Sequence, residues 1–459
     1  MIAVGPGRPS KRRIAVVGCG HVGVVTAAGL AHLGHRVTGV DTNEDRIAQL
    51  GTADVRFQEP GLVELVREGL ALGRLDFTTR YEAAVPDADF IFLAVDTPAT
   101  PSGAADLRNI RAATRSIVEA LDGTSPVIVN KSTSPIGTGE TIETILRLGM
   151  AGRAARPRIV ANPEFLQQGS AVDDFLRPQR IVIGARNPED AQAVGELYGD
   201  LGAPILLTDL RTAEMIKYVA NSFLATRVSF INEIARLCEQ LGVDVDHVVD
   251  GVSRDPRIGG AFFRPGIGYG GSCLPKDVAA LRYVGETFGV ATPVLSSVQE
   301  VNQAQRTSAV RKLRRALGTL EGVSIAVWGL TFKGGTEDVR ESPAMDVVGL
   351  LLNEGAILRL YDPTCPVELV PDRLAPMIVD DPVEAVRDCD ALAVLTDWPA
   401  LRDLPLTGVR AAMRGDVLFD GRNLLDRDAA EAAGFRYTGV GRGGGIRLPA
   451  PEPVPLAIP

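Results

Sequence analysis

Short apolar runs that alternate with helical stretches fill the first part of the chain. Six of them end in a glycine, an acid or a polar loop: Ile14 to Val17, Arg36 to Val40, Asp89 to Val95, Pro126 to Asn130, Arg158 to Val160 and Ile181 to Gly184. Short apolar runs separated by helical periodicity are typical of βαβ units, which build parallel sheets. The pattern predicts a first α/β domain over residues 1–207.

A continuous helical pattern follows from Thr208 to Leu241, with no proline inside it. Thr208 and Asp209 are capping residue types, and Gly242 ends the pattern. Apolar residues recur mostly at helical spacing, at Ile216, Val219, Phe223, Phe230, Ile234 and Leu237. A helix of roughly 50 Å suits a spine that joins two domains or pairs with a copy of itself. The helical pattern continues to Leu317, so residues 208–317 are predicted to form a central helical domain.

The βαβ pattern restarts at Val323. The run Val323 to Trp328, a glycine-rich turn, a helix over Pro343 to Asn353 and the run Ile357 to Tyr361 form one unit, and later runs cover Ala391 to Leu395 and Val417 to Phe419. This predicts a second sheet domain over residues 318–447, before a proline-rich tail, 448–459, that we expect to be disordered. The fold class is therefore α/β, with two Rossmann-like parallel-sheet domains joined by a central helical domain with one long helix.

Composition and charge limit the kinds of molecule that the chain is expected to bind. The chain has 459 residues and a formal net charge of −9 without a long basic block, so nucleic acid and anionic membranes are poor partners. The basic N-terminus precedes no apolar segment long enough for a signal peptide or a membrane span. Five widely spaced cysteines form neither a disulfide framework nor a CxxC pair, which predicts a reduced, cytoplasmic protein. The four histidines lack paired metal spacing, so we expect no metal.

A glycine motif follows the first predicted strand. Residues 18–23, GCGHVG, open a helix, and Asp41 ends the next strand, 23 residues beyond Gly18. Glycines at this turn let the helix N-terminus approach a pyrophosphate, and an acid at that strand end binds the ribose diol. An acid there repels a 2′-phosphate, so the motif favours NAD over NADP, and Arg46 is the one opposing feature. Glycines that serve only close packing are the weaker interpretation.

The densest cluster of reactive residue types is GYGGSCLPKD, residues 268–277. Its glycines form an open loop around Cys273, and Lys276 and Asp277 can set the charge of a thiol and orient water. We expect Cys273 to be a nucleophile and the other four cysteines to be inert buried residues.

Three further polar residues are ambiguous when taken singly. Glu164 follows a short predicted strand, where open α/β sheets place ligands, and Lys217 and Asn221 share one face of the long helix. Spacing alone does not distinguish them from solvated polar residues.

Seven motifs in order span Arg13 to Asp426: VGCGHVG, NKSTSPIGTG, NPEFLQQGSAVDDFLRPQRIVIG, AEMIKYVANSFLATRVSFINE, DPRIGGAFFRPGIGYGGSCLPKD, WGLTFKGGTEDVRESPA and FDGRN. Together they resemble the UDP-glucose and GDP-mannose dehydrogenase family, to which the cysteine motif is specific. The resemblance implies four-electron oxidation of the C6 alcohol of a nucleotide-linked hexose to the uronate, with two NAD reduced and no metal. UDP-glucose, which gives UDP-glucuronate, is the first choice of substrate.

The resemblance also implies the catalytic roles. Cys273 captures the aldehyde as a thiohemiacetal, a second hydride transfer gives a thioester, and water releases the acid. A thiol is needed because a free aldehyde can escape and has no hydride to surrender until a nucleophile adds. The matching positions place Lys217 and Asn221 at the C6 oxyanion, and they place Asp277 and Thr133 at the catalytic water. Glu164 is the acid or base of thioester hydrolysis.

The binding residues follow from the same resemblance. The residues expected to bind the cofactor are Gly18, Gly20, His21, Val22, Gly23, Asp41, Arg46, Thr97, Pro98, Thr133, Gln168 and Arg340. The residues expected to bind the substrate are Glu164, Phe165, Leu166, Lys217, Asn221, Arg257, Gly268, Tyr269, Gly270, Lys333 and Arg422. Arg257 matches an arginine that reaches a neighbouring subunit's substrate, which implies a homodimer or a higher homo-oligomer. Gln168, Gln179 and Asp96 depart from the family pattern near the nicotinamide, but none removes a catalytic group.

Several alternatives remain open. dTDP-glucose differs from UDP-glucose by one methyl on the base, and Leu274 after the cysteine also occurs in GDP-mannose enzymes. The branch that oxidises N-acetylhexosamines carries a different sequence after its cysteine. A non-catalytic sugar-nucleotide sensor of this fold has no use for a nucleophile with oxyanion and water groups, and a two-electron alcohol dehydrogenase or a 6-phosphogluconate-type decarboxylase needs no thiol.

Overall fold

The computed structural model describes residues 11–152 and 157–442, so the predicted tail at 448–459 lies outside the described residues. The described residues group into two compact units. One comprises the chain up to residue 220 together with residues 279–290, and the other comprises residues 221–278 and the chain from residue 291 onward.

The first unit is built on an eight-stranded sheet. Its strands are β1 (Arg13–Val17), β2 (Arg36–Val40), β3 (Leu75–Thr78), β4 (Phe90–Leu93), β5 (Val127–Asn130), β6 (Arg158–Ala161), β7 (Ile181–Ala185) and β8 (Ile205–Thr208). Its helices are α1 (His21–His32), α2 (Glu44–Leu50), α3 (Leu62–Ala71), α4 (Arg108–Ala120), α5 (Thr138–Gly149), α6 (Ala171–Leu176) and α7 (Pro188–Glu196).

The strand order is β3-β2-β1-β4-β5-β6-β7-β8, which reverses between β1 and β4. Nucleotides bind at such a switch point, beyond the carboxyl ends of the strands. Every neighbouring pair is parallel except β6 and β7, which are antiparallel and depart from the predicted arrangement. The segment between these two strands contains only the short helix α6, and β7 starts at the sheet edge where β6 ends.

Both faces of this sheet are covered, which explains why its strands are apolar runs rather than alternating sequences. In β1, Ile14 and Val16 pack into one hydrophobic core, and Ala15 and Val17 pack into the core on the opposite face. The sheet is therefore a rigid platform whose loops at the carboxyl edge can carry function.

Long helices follow the first sheet: α8 (Leu210–Leu241), α9 (Val245–Ser253), α10 (Leu274–Thr287) and α11 (Pro293–Leu317). Helix α8 has 32 residues, which confirms the predicted long helix. Asp209 caps it by accepting the N–H of Thr212 at 2.9 Å, and Gly242 ends it with a φ of +69°.

The second unit contains a five-stranded parallel sheet in the order β10-β9-β11-β12-β13. The strands are β9 (Ser324–Trp328), β10 (Ile357–Tyr361), β11 (Ala391–Val394), β12 (Val417–Asp420) and β13 (Arg436–Gly439). The helices are α12 (Pro343–Asn353), α13 (Pro382–Val386), α14 (Pro399–Arg402), α15 (Leu406–Ala412) and α16 (Arg427–Ala432). Ile325 and Val327 face one core and Ala326 and Trp328 face the other, so this sheet is also buried on both sides.

No helix in residues 11–152 and 157–442 is both long and apolar enough to cross a membrane. Likewise, no cluster of three or more histidine, cysteine, aspartate or glutamate side chains in these ranges is arranged to hold a metal ion.

Candidate active site

The turn between β1 and α1 leaves open space before a helix N-terminus. Gly18 has a φ of +96°, and a Cβ there would lie 2.5 Å from the carbonyl oxygen of Ala94, so only glycine fits. Gly20 precedes α1, and a Cβ on it would meet no atom within 4 Å. The first-turn N–H groups, which have no acceptor within the helix, therefore face a space that a pyrophosphate can enter.

Asp41 lies at the end of β2 and faces this turn. Its Oδ2 accepts the N–H of Cys19 at 2.8 Å and Nη1 of Arg46 at 2.9 Å, and its Oδ1 accepts the N–H of Asn43 at 3.0 Å. The predicted cofactor residues Asp41 and Arg46 are thus brought together. The salt bridge holds the Arg46 guanidinium on the carboxylate, whose oxygens can still accept hydrogen bonds from a ribose diol.

A buried ion pair joins the loop after β6 to α8. Nζ of Lys217 lies 3.0 Å from Oε1 of Glu164, and both side chains are 5% exposed. The other carboxylate oxygen accepts the N–H of Leu166 at 2.5 Å. Burial alone would raise the pKa of Glu164, but the charge of Lys217, the N–H of Leu166 and a nearby Lys131 outweigh burial and hold the pKa below its ordinary value. Glu164 is therefore ionised at neutral pH, as a base must be.

Thr133 and Lys217 line one small cavity beyond the end of β5, and Glu214 lines it from one turn earlier on α8. The carbonyl of Thr133 accepts the hydroxyl of Thr97 at 2.5 Å. The predicted residues Thr133 and Lys217 of the first unit therefore border the same space, and Thr97 supports it through Thr133.

Glu214, which sequence analysis missed, anchors the start of α5. Its two carboxylate oxygens accept the N–H groups of Gly137 at 2.7 Å and Gly139 at 2.8 Å. Burial raises the pKa of Glu214 to about 7, against the lowering effect of these two donors. The residue lies within the motif AEMIK, but its function as a cap depends on a contact with a helix about 75 residues away.

In the second unit, Cys273 directly precedes α10 and is exposed. Its carbonyl accepts the N–H of Asp277 at 2.9 Å, the first hydrogen bond of the helix. The thiol therefore lies at the helix N-terminus, whose partial positive charge stabilises a thiolate. Oγ of Ser272 lies 3.7 Å from Sγ.

The other cysteines lie in less reactive surroundings. Cys19, Cys238 and Cys389 are buried, and Cys365 is half-buried rather than buried as expected. Burial raises the pKa of all four thiols.

Asp277 joins α8 to α10. It is fully buried and accepts Nδ2 of Asn221 at 2.6 Å and Nζ of Lys276 at 2.7 Å. The predicted residues Asn221 and Asp277 are thus in direct contact, one helical turn beyond the cysteine. In this arrangement the Asn221 amide donates to the carboxylate, so an oxyanion would have to share or replace that bond.

Two asparagines hold the backbone of the loop before Cys273. Asn302 of α11 accepts the N–H of Tyr269 at 2.8 Å and donates to its carbonyl at 3.0 Å. Asn232 of α8 accepts the N–H of Gly266 at 2.8 Å. Sequence analysis missed both asparagines, because nothing local distinguishes them from other helical polar residues.

Arg422, predicted to bind the sugar nucleotide, donates to three backbone carbonyls. They belong to Leu395 at 2.8 Å, Gly268 at 3.0 Å and Phe332 at 3.0 Å. Three of the five guanidinium donors thus tie the loop before the cysteine to the second sheet. Arg422 has a positioning function beyond any contact with substrate.

Two other predicted arginines pair with acids two residues away. Arg257 forms a salt bridge with Asp255 at 2.6 Å, and Arg340 forms one with Asp338 at 2.6 Å. Both side chains are largely exposed, so an anion can reach each guanidinium if it competes with the carboxylate.

The remaining predicted residues lie near strand ends, either on loops or in the first turn of α1. In the first unit they are His21, Val22 and Gly23 at the start of α1, Pro98 after β4, and Phe165, Leu166 and Gln168 after β6. In the second unit they are Tyr269 and Gly270 before the cysteine and Lys333 after β9.

His21 and Phe165 each contact a residue that sequence analysis did not single out. Nε2 of His21 lies 2.8 Å from Oε2 of Glu59, a buried acid, and the guanidinium of Arg180 lies 3.8 Å from the centre of the Phe165 ring. Both partners are distant in sequence, so no local signal points to them.

Comparison with known proteins places this geometry in a family. The NAD binding domain of the UDP-glucose/GDP-mannose dehydrogenase family matches residues 12–202, its central domain matches 211–304, and its UDP binding domain matches 326–427. The chain belongs to this family. The match to the NAD binding domain confirms NAD as the cofactor.

Relatives within the dehydrogenase family cover nearly the whole chain. The UDP-glucose 6-dehydrogenase TuaD of Bacillus subtilis is 41% identical over 94% of this chain and 93% of its own length, and a UDP-glucose 6-dehydrogenase of Pseudomonas aeruginosa is 39% identical over 94% and 97%. The solved UDP-glucose dehydrogenase of Pyrobaculum islandicum has a TM-score of 0.88, with 38% identity over 95% of this chain and 99% of that chain. This dehydrogenase is therefore an NAD-dependent oxidoreductase with the fold of its relatives.

Proposed function

We propose that the protein catalyses the NAD-dependent oxidation of UDP-glucose to UDP-glucuronate. The observation that carries the proposal is the exposed thiol of Cys273 at the start of α10, beside the Asn221 and Asp277 pair. A dehydrogenase that stops at the aldehyde needs no such thiol. The UDP binding domain match and the UDP-glucose 6-dehydrogenases at about 40% identity favour UDP-glucose over dTDP-glucose and GDP-mannose.

The turn before α1 and Asp41 hold the NAD, and the open space at Gly20 fits its pyrophosphate. When bound, NAD supplies the hydride acceptor for each of two oxidations. The overall reaction converts one primary alcohol, two NAD and one water into a carboxylate, two NADH and protons.

Cys273 makes the second oxidation possible. Its thiolate adds to the C6 aldehyde and forms a C–S bond, and the resulting thiohemiacetal carries the hydrogen that leaves as the second hydride. The product is a thioester, whose C–S bond breaks when water attacks, so the thiol is regenerated.

The charged groups act around these steps. Lys217 and Asn221 stabilise the oxyanion at C6, Glu164 takes a proton from the alcohol or from the attacking water, and Thr133 and Asp277 orient that water. The ionised state of Glu164 and the burial of Asp277 support these functions.

The substrate is held by the loops at residues 164–166 and 268–270 and by Lys333 and Arg422. Arg257 serves the site of a neighbouring copy, so the active form is a homodimer or a higher homo-oligomer. The exposure of Arg257 supports this, and so does the apolar face of α8, where Phe223, Phe230, Leu237 and Leu241 are each more than half exposed.

The stoichiometry of NADH tests the proposal. The pure protein is incubated with NAD and separately with UDP-glucose, dTDP-glucose, GDP-mannose and UDP-N-acetylglucosamine, and NADH is counted against sugar consumed. We expect two NADH per UDP-glucose and a uronate product. One NADH, or an aldehyde product, would contradict the four-electron reaction, and a faster reaction with another sugar would replace the substrate.

Cysteine variants test the nucleophile. Cys273→Ala should abolish the second oxidation and Cys273→Ser should accumulate an ester, whereas Cys365→Ser, at the half-buried thiol, should behave as wild type. Normal uronate formation by Cys273→Ala would show that another group captures the aldehyde.

A further inference from the structure

A buried lysine lies next to the ion pair of Glu164 and Lys217. Lys131 follows β5 directly and is 5% exposed. Its Nζ donates to Oδ1 of Asn162 at 3.3 Å and lies 5.8 Å from the centre of the Tyr198 ring. Within residues 11–152 and 157–442, this is the one hydrogen bond of a group that has three donors. A buried charge with so few partners destabilises the fold. Its presence here therefore points to a purpose other than stability.

The contact of Lys131 reaches the loop that carries Glu164. Asn162 lies two residues before Glu164, and its Oδ1 also accepts the hydroxyl of Tyr198 at 2.7 Å, while its Nδ2 donates to the carbonyl of Val182 at 2.9 Å. The side chain of Asn162 is therefore held on both sides. Through it, Lys131 fixes the start of the segment that presents the carboxylate.

The charges of this region do not cancel. Glu164 is paired with Lys217 at 3.0 Å and also interacts with the charge of Lys131. Burial lowers the pKa of Lys131 to about 8, with Glu164 opposing the shift and Lys217 reinforcing it. Tyr198, the other titratable group that faces Lys131, has a pKa that burial raises, so it is neutral. At neutral pH two ammonium groups share one carboxylate, which leaves a net positive charge.

That surplus matters for the chemistry of Lys217. A lysine paired only with Glu164 would be largely neutralised, and it would attract a developing oxyanion weakly. A second ammonium on the same carboxylate restores the positive potential at Lys217 in a water-poor region.

We propose that Lys131 is a positioning residue of the oxidation: it anchors the Glu164 loop through Asn162 and supplies the charge that leaves Lys217 effective as an oxyanion group. The proposal rests on the proposed function, because it concerns the oxyanion at C6 of that substrate.

The pH dependence of kcat tests the charge. Lys131→Met has a side chain of similar length and no charge, and kcat and KM for UDP-glucose are measured from pH 6.5 to 9.5 for wild type and variant. We expect wild-type kcat to exceed that of the variant by roughly tenfold to a hundredfold near pH 7. The ratio should fall above pH 9, where Lys131 has lost its proton, to the smaller factor that loss of the hydrogen bond to Asn162 causes, and both KM values should stay within about twofold. A ratio that does not change with pH would overturn the proposal.

Tyr198→Phe is the matched control. It removes the other hydrogen bond to Oδ1 of Asn162 and keeps the charge of Lys131, so its kcat ratio to wild type should not vary with pH. If Tyr198→Phe reproduced the pH-dependent loss, that loss would not come from the charge of Lys131, and the proposal would be overturned.

Thermal unfolding gives a readout that needs no turnover. Lys131 titrates at about 8 when folded and at about 10.4 when unfolded. The unfolded chain therefore holds more protons between these values, so the cost of burying Lys131 is fully present below pH 8 and disappears towards pH 10. The midpoint of Lys131→Met minus that of wild type should accordingly decrease from pH 7 to pH 10.

The two readouts separate the possible failures. A constant midpoint difference would show that Lys131 does not titrate as a buried amine and would overturn the proposal. A decreasing difference with a flat kcat ratio would also overturn it, while the proposed function would stand. If wild type did not oxidise UDP-glucose, the proposed function would fail and this proposal with it, although the midpoints would still report the titration.

Discussion

At the scale of single residues, surroundings rather than residue type decide which groups can react. The five cysteines have the same intrinsic chemistry, yet Cys273 alone is exposed, at a helix N-terminus, while burial raises the pKa of the other four thiols. Glycines around Cys273 made this difference visible in the sequence, because they predict an open loop. No such pattern marks Lys131, whose importance depends on burial.

The cofactor preference is a prediction at this scale. Asp41→Ala removes the acceptor for the ribose diol and releases Arg46 from its salt bridge, so KM for NAD should rise roughly tenfold or more while KM for UDP-glucose stays within about twofold. The ratio of kcat/KM for NADP to that for NAD should increase, because the released guanidinium can meet a 2′-phosphate. Steady-state kinetics with both cofactors measures this.

Asp45→Ala is the control, because Asp45 is an exposed acid on α2 a few residues away. It should leave both cofactor constants unchanged. An unchanged KM for NAD in Asp41→Ala would contradict the assigned function of Asp41.

At the scale of elements, the same sequence pattern leads to different sites in the two sheets. Each begins with a strand, a glycine with φ of +96° (Gly18 or Gly329) and a second strand that ends in an acid. Asp41 receives two backbone N–H groups and an arginine. Oδ2 of Asp362 accepts backbone, hydroxyl and indole donors of its own unit. Its Oδ1 accepts further donors from Thr364 and Cys365, so the protein occupies both oxygens. Periodicity predicts both turns but not this difference.

The start of α5 is fixed by an acid from α8, and this gives a pH prediction. An unfolded glutamate titrates at about 4.3, whereas Glu214 in the folded protein titrates at about 7. Between these values only the unfolded chain has lost the proton, so this residue makes stability fall as pH rises from 4.3 to 7. Glu214→Gln cannot ionise, so its unfolding midpoint relative to wild type should increase by about 2–5 °C from pH 5 to pH 7.5.

Calorimetry or circular dichroism at matched ionic strength measures these midpoints. Glu143→Gln is a suitable comparison, since Glu143 lies on α5, the helix whose start Glu214 fixes, and pairs with Arg186. A midpoint difference for Glu214→Gln that is constant with pH would contradict the raised pKa.

At the scale of the whole molecule, the outer face of α8 is a candidate surface for pairing with a second copy of the chain. Phe223, Phe230, Leu237 and Leu241 are separated by seven, seven and four residues, which places them on one stripe, and each is more than half exposed. A stripe of this kind on a long helix is typical of a surface that pairs with another helix. A second copy of the chain is the occupant that the predicted function of Arg257 requires.

Substitution in this stripe tests the assembly. Wild type should have a solution mass of at least twice 48.7 kDa. The double variant Phe223→Lys, Leu237→Lys should shift the protein towards the monomer mass. Its kcat/KM should fall at least roughly tenfold, because Arg257 would lose its partner site. Light scattering after size exclusion measures the mass. Leu148→Lys, at an exposed leucine on α5, should change neither property, and a wild-type monomer with full activity would exclude the dimer.

Much of the fold was predictable because its signals are local. The apolar runs matched β1, β2, β9 and β10 within one residue, and the long helix was predicted within two residues at its start, since periodicity, caps and glycines act over a few positions. The antiparallel pairing of β6 and β7 was not predictable, because the direction of a strand depends on the path of the chain between strands. Asn302, Asn232 and Glu214 were missed for a related reason, as their acceptors or donors lie on distant elements.

The sequence by itself determined the fold class and the nucleotide turn, and it predicted the chemistry of a thiol with its charged companions, because each depends on residue types at short, fixed spacing. The tertiary structure alone decided which side chains meet. It joined Lys217 to Glu164, set Lys131 beside them and bound Asn221 to Asp277 across 56 residues. Burial and neighbouring charge set the protonation states of such groups, and both arise only when remote segments pack together.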